Sequence, residues 1–240
     1  MLDCSKDLSA RWHGHLVYRP KGVAAFTLIE LLVVLAVIAI LASMLLPVVA
    51  RVKRKGAQAQ CISNLKQTGI AIEMFADDNA DMLPGPLVAS ARANYDDTSS
   101  QELIFHIAPY LNDPRPSRKM VISKVFRCPG YEKYAPGLTE EWSLIGRKIF
   151  LLNDDMDPNP GKRLPPFGYP IAPDEAKPLN ITTLANNAPP SSVFAVSDAD
   201  RSIPILNPTI SWYTDLPTVP VHGSARNQLF FDGHVEAVHW

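Results

Sequence analysis

Residues 31–50 read LLVVLAVIAILASMLLPVVA, twenty positions without a charged side chain, and no other feature restricts the fold of this chain as much. Twenty helical residues rise about 30 Å, the thickness of a bilayer's hydrocarbon core. Between positions 31 and 46, eleven residues are Leu, Ile or Val. At about −0.3 to −0.6 kcal/mol each they outweigh one carboxylate at the edge of the span, which costs at most about 3 kcal/mol. Core helices of globular domains seldom carry so long an unbroken apolar run, so the sequence predicts a segment that enters a membrane. The polar stretch before it, residues 1–25 with Arg11, Arg19 and Lys21, does not suit an ordinary cleavable secretory signal. Cys4 has no apolar segment ahead of it and does not read as a lipid-attachment site.

The helical pattern continues beyond the apolar run. Residues 51–66 hold Arg51, Lys53, Arg54, Lys55 and Lys66 and no acid. Ile62, Leu65, Gly69, Ile72 and Ala76 then recur at spacings of three and four, one narrow stripe on a helix, with Gly69 permitting close approach of a packed element. Asp77-Asp78-Asn79 and Pro84-Gly85-Pro86 end the pattern. Residues 26–79 are thus expected to form one helix of about 80 Å if straight. Pro47 should kink or loosen it, lacking an N–H donor and crowding the preceding turn.

The rest of the chain has a different texture. Of 22 prolines, 20 lie between Pro84 and Pro220, which predicts short elements and long connections. Residues 101–111 read as a short helix, 120–127 and 192–196 as strands, and 153–178 as an irregular loop. Asp232-Gly233 between the runs 227–231 and 234–240 predicts a hairpin with a two-residue turn, both turn residues at positive φ. Together these give an α+β fold: a long N-terminal helical stalk, apolar then amphipathic, packed against a small antiparallel sheet with long proline-rich loops. Apolar residues at 47% and charged ones at 20% exclude a disordered chain or a small disulfide scaffold. With 23 basic against 24 acidic side chains, the electrostatic footprint of a nucleic-acid binder is absent. No Gly-x-Ser-x-Gly, phosphate loop, dinucleotide fingerprint or His-Glu-x-x-His occurs, so no enzyme is expected.

Phe26-Thr27-Leu28-Ile29-Glu30, followed at once by Leu31-Leu32-Val33-Val34, resembles the N-terminus of type IV prepilins and type II secretion pseudopilins. The resemblance implies that a membrane peptidase removes a basic leader and that the new first residue is N-methylated. It places the cut between Ala25 and Phe26, with Phe26 methylated. The family's usual glycine before the cut is missing there, and Gly22 marks an alternative site. Pro47 stands where the family's kinking proline is found. The implied organisation is a leader over 1–25, a transmembrane helical half over 26–50, a periplasmic amphipathic half over 51–80, and a pilin-like head over 81–240 ending in the hairpin. Cys61-Ile62-Ser63-Asn64-Leu65-Lys66-Gln67, Phe126-Arg127-Cys128-Pro129 and His222-x9-Asp232-Gly233 resemble a subgroup with a C-terminal His-x9-Asp-Gly motif.

The resemblance further implies a structural subunit of a type IV pilus or type II secretion pseudopilus. Its partners would be a prepilin peptidase, other pilin or pseudopilin subunits and inner-membrane lipid, with no nucleic acid. It would cross the inner membrane once, N-terminus cytoplasmic and head periplasmic, and reach a filament or the cell surface after assembly. A charge count alone points the other way, since Arg51, Lys53, Arg54 and Lys55 outnumber Arg11, Arg19 and Lys21, but the motif is more specific than a charge difference of one. The alternative reading is a single-pass anchored periplasmic binding domain that does not polymerise.

Four groups of residues carry candidate chemistry. Glu30, the one ionisable side chain in residues 26–50, is expected to pair in assembly with the methylated amine of Phe26 on a neighbouring subunit. Cys61 and Cys128 either form a disulfide closing a loop of 67 residues, worth about 4 kcal/mol, or are separate buried thiols. His222, Asp232, His234 and Glu236 invite a zinc reading but lack a converging ligand set, so no metal is assigned, and His222 is expected to hydrogen-bond across the hairpin. Cofactors are none, save that a structural calcium stays open without assigned ligands. Asp77-x-Asn79-x-Asp81 and Asp155-x-Asp157-x-Asn159 alternate oxygen donors but lack the EF-hand glycine and glutamate, and Asp198 and Asp200 are further donors.

Overall fold

The computed structural model describes residues 27–134, 145–156, 163–171, 176–203 and 212–239. The chain divides into two compact units, Met1–Val48 and Val49–Trp240. In the first, α1 (Leu28–Asp78) begins; its apolar side chains from Leu28 to Val48 stand exposed, and by length and composition it suffices to cross a membrane. Pro47 lies inside α1, which stays helical on both sides of it. The leader and cleavage residues Gly22, Ala25 and Phe26 lie outside the described residues, as do Asp157 and Asn159.

In the second unit, the later turns of α1 bury Cys61, Asn64, Leu65, Thr68, Ala71, Ile72 and Ala76. That stripe is wider than the apolar pattern implies, because Asn64 and Thr68 are taken in with their polar groups bonded: Asn64 Nδ2 donates to the Arg127 carbonyl and Thr68 Oγ1 to the Asn64 carbonyl. Gly69 plays the part expected of it, since a Cβ there would come within 2.8 Å of Leu229 Cδ1. Ala80 and Asp81 turn the chain out of the helix in the left-handed region.

The head is a five-stranded antiparallel sheet ordered β1 (Ser90–Ala91), β4 (Phe150–Leu152), β5 (Phe194–Asp198), β6 (Ala225–Phe230), β7 (Val235–His239). A separate pair joins β2 (Asn94–Tyr95) to β3 (Val121–Ile122). Short helices α2 (Leu103–Ile107), α3 (Pro129–Tyr134) and α4 (Ile181–Asn187) complete it, α2 running into a 3₁₀ turn over Ala108–Leu111. The core joins Leu65 and Ile72 of α1 to Phe126, Phe150, Val196 and Leu229. Burying each such large apolar side chain contributes about 1.5–3 kcal/mol.

Two expectations are corrected. The strand over 120–127 shrinks to β3, because Phe126 N–H donates to Ser123 Oγ in a turn and Pro129 opens α3. The hairpin turn holds three residues, Phe231-Asp232-Gly233: Gly233 N–H donates to the Phe230 carbonyl, Phe230 N–H donates to the His234 carbonyl, and only Gly233 takes positive φ, +82°. This is the type I turn closed by a left-handed residue, one longer than an Asp-Gly pair suggests.

Candidate functional site

At its start α1 is closed by a reciprocal cap. Thr27 N–H and Oγ1–H both donate to Glu30 Oε2, at 2.8 and 2.7 Å, and Glu30 N–H donates back to Thr27 Oγ1 at 3.3 Å. Thr-x-x-Glu is the sequence signature of this capping box, a signal that Thr27 and Glu30 carry in plain sight. The carboxylate at the head of the apolar run therefore has a partner within its own helix.

The second arrangement lies in the core of the head. Cys61 comes from α1, Cys128 from the residue before α3, Asp198 from the end of β5, and His222 from the turn before β6. The structure draws Cys61 and Cys128 together as a disulfide with Cα atoms 5.1 Å apart. His222 Nε2 lies 3.2 Å from Cys128 Sγ and 3.6 Å from Asp198 Oδ2. One ligand atom from each of the four residues falls within 4.8 Å of all the others, and all four residues are buried. Among the described residues this is the single grouping of three or more Cys, His, Asp or Glu that suits a metal ion.

Three of the four members are braced from outside the cluster. Asn227 donates to Asp198 Oδ2 through its backbone N–H at 2.9 Å and its side-chain amide at 3.0 Å. Tyr131 N–H donates to Cys128 Sγ at 3.4 Å. Gly130 lies flat against the imidazole: a Cβ there would stand 2.5 Å from His222 Cε1. Burial pushes the Asp198 carboxyl up to about 7, against the pull of the Asn227 hydrogen bonds, and pulls His222 down to about 4. Asp198 Oδ1 and His222 Nδ1 remain buried without a hydrogen-bond partner.

The expectation that His222 bonds across the hairpin is thereby corrected, because its turn precedes β6 and places the ring against the Cys128-Pro129-Gly130 segment. Asp232 stays in the hairpin turn, where Oδ1 accepts from His234 N–H, and Glu236 is exposed on β7. The two halves of His-x9-Asp-Gly thus serve separate places at opposite ends of β6. Asp200 is committed to the buried guanidinium of Arg226, and Asn79 donates to the Phe75 carbonyl. Three of the four clustered residues fall in the stretches that mark the subgroup resemblance; Asp198, in Phe-Ala-Val-Ser-Asp, carries no such flag.

An apolar stretch of membrane length, capped through Glu30, opens a helix whose later turns pack in the core of a small antiparallel head. Residues 20–46 match the prokaryotic N-terminal methylation motif, which supports a type IV prepilin-like protein. The motif implies processing by a prepilin peptidase and assembly with other pilins, and with the apolar helix it indicates a single-pass inner-membrane anchor. Neither the curated proteins nor the solved structures contain a match to this chain.

Proposed function

We propose that the chain is a subunit of a type IV pilus or type II secretion pseudopilus, cut between Ala25 and Phe26, methylated on Phe26, and anchored with its head in the periplasm. The methylation motif over residues 20–46 carries this reading, together with the acid that stands at the start of the apolar helix. After the cut, Glu30 would sit four residues from a free amine. In a medium of low dielectric a carboxylate and an amine of the next subunit attract strongly enough to set the stagger between copies. Thr27 holds the same carboxylate within one subunit, so assembly would exchange or share that cap. The protein's work is assembly and display of the head, and the chemistry is performed on it by the peptidase.

Mass spectrometry of the mature N-terminus tests the processing: methylated Phe26 is expected, while an intact Met1 in cells that contain the peptidase would refute it. Glu30→Ala should insert normally and fail to enter filaments, and unchanged incorporation would remove the pairing. Protease digestion of spheroplasts checks orientation, with the head expected to be cleaved.

A further inference from the structure

We propose that Cys61, Cys128, Asp198 and His222 hold one zinc-type divalent cation as a closed, structural site of two thiolates, one imidazole and one carboxylate that ties helix α1 to the head. This goes beyond the pilin reading and stands or falls separately from it. The donor set decides the metal class. Two thiolates and an imidazole suit zinc, which takes sulfur and nitrogen in tetrahedral sites, whereas calcium and magnesium demand oxygen.

The distances fit. Bonds of about 2.0–2.3 Å in a tetrahedron put neighbouring ligand atoms about 3.3–3.8 Å apart. His222 Nε2 already lies 3.2 Å from Cys128 Sγ and 3.6 Å from Asp198 Oδ2. The two sulfurs, drawn together as a disulfide with Cα atoms 5.1 Å apart, must part to about 3.8 Å to share the ion. All four ligands come from the chain and all are buried, which leaves no position open to a substrate and makes the site structural.

A disulfide explains the two cysteines and leaves their neighbours unexplained. A sulfur–sulfur bond has no need of a carboxylate or an imidazole beside it, and here Asp198 Oδ1 and His222 Nδ1 are buried without partners, on side chains 5% and 0% exposed. Such groups cost about 1–3 kcal/mol each when unsatisfied. A dication taken by His222 Nε2 and Asp198 Oδ2 makes ligands of both side chains, with Nδ1 left holding the ring proton that frees Nε2 and Oδ1 on the ligating carboxylate. The surroundings are those of a supported site: Asn227 fixes the carboxylate, the Tyr131 N–H points to a sulfur that would carry charge, and Gly130 makes room for the ring. The cation is taken by the two cysteines as free thiols, before any sulfur–sulfur bond forms, so binding is a proton exchange without redox change: one proton leaves each thiol for solvent and the carboxylate ligates as its anion.

The test uses the full chain in detergent, purified without chelator or reductant, denatured in a chelator with an alkylating reagent, and mapped by peptide mass. The expected result is about one zinc per chain with Cys61 and Cys128 both alkylated. Exchange of zinc for cobalt(II) should give thiolate-to-cobalt charge-transfer absorption and the intense visible bands of a tetrahedral site. Cys128→Ser, which leaves one thiolate, should cut the charge-transfer band to about half or less. Asp198→Asn, which keeps the side chain's shape, should weaken cobalt binding about tenfold or more. Because the native chain alone yields both metal content and spectrum, the outcome does not depend on any variant folding. A Cys61–Cys128 linked peptide from metal-free protein overturns the proposal, whatever cobalt does after reduction.

Discussion

Arg226 and Asp200 offer the most severe test of how the head is held together. Arg226 sits on β6 with its guanidinium inside the protein, Nε 2.6 Å from Asp200 Oδ2 and Nη2 2.9 Å from Oδ1, on side chains 3% and 1% exposed. Nη2 also donates to Ser202 Oγ. Arg226→Met keeps much of the volume and leaves a carboxylate buried with Oδ2 stripped of its cation. Removing one member of such a pair costs about 3–5 kcal/mol, mostly the desolvation of the ion left behind. For a chain of this size each kcal/mol moves the midpoint by about 2–4 °C, so thermal unfolding of the detergent-solubilised protein should fall by about 6–20 °C. The companion experiment separates the stranded charge from lost packing. Asp200→Leu combined with Arg226→Met removes both ions, and the double variant should be more stable than Arg226→Met alone, giving a large favourable coupling in the cycle. A midpoint within about 2 °C of the parent for Arg226→Met would refute the reasoning, because it would mean that water reaches Asp200.

Two more outcomes follow from the same geometry. Gly130→Ala drives a methyl toward His222 Cε1, where 2.5 Å is available, and should cost about 1–3 kcal/mol by urea denaturation, with a smaller loss when His222 is also replaced by Ala. His106 is held below its ordinary value by burial, partly opposed by the hydrogen bond from Nε2 to the Ser100 carbonyl at 2.8 Å. The unfolded chain then binds that proton more readily than the native one, so stability is whole above about pH 6.5 and is lost as the pH falls below it. His106→Gln should lose less between about pH 7.5 and about pH 5.5 in parallel urea titrations, and equal losses in both proteins would contradict this.

How far the sequence carries depends on the range of the interactions concerned. The apolar run, its polar continuation and the end of α1 near Asp78 are written in neighbouring residues, and the helix can be read from them. The hairpin is legible for the same reason, though Asp-Gly cannot by itself tell a two-residue loop from a three-residue one that also needs only Gly233 at positive φ. β4 is hard to read because Ile149-Phe150-Leu151-Leu152 is a four-residue apolar run without alternation, buried on both faces between β1 and β5. β6 reads as polar, Arg226-Asn227-Gln228, yet lies buried, since Asp200, Asp198 and Ser197 meet those side chains in turn. No local pattern announces a buried polar strand. Cys61, Cys128, Asp198 and His222 lie as far as 161 positions apart, and only the packing of α1 on β5 and β6 shows that they converge.

Why α1 needs polar fastenings follows from its sequence. A stripe of Leu65, Ile72 and Ala76 specifies a face, but hydrophobic contact is non-directional, and a helix displaced by three or four residues presents nearly the same face. In a chain whose other end is committed to a membrane, such a slip would shift the head by about 5 Å along the helix. Directional bonds remove the degeneracy. Asn64 Nδ2 reaches the Arg127 carbonyl, Cys61 meets Cys128 one residue further along the same segment, and Tyr131 O–H donates to the Asp215 carbonyl beyond it. Cys61 and Asn64 are one turn apart on the helix, so together they fix both its rotation and its axial position against a single strip of chain. This register is set by residues that the apolar pattern of α1 leaves out.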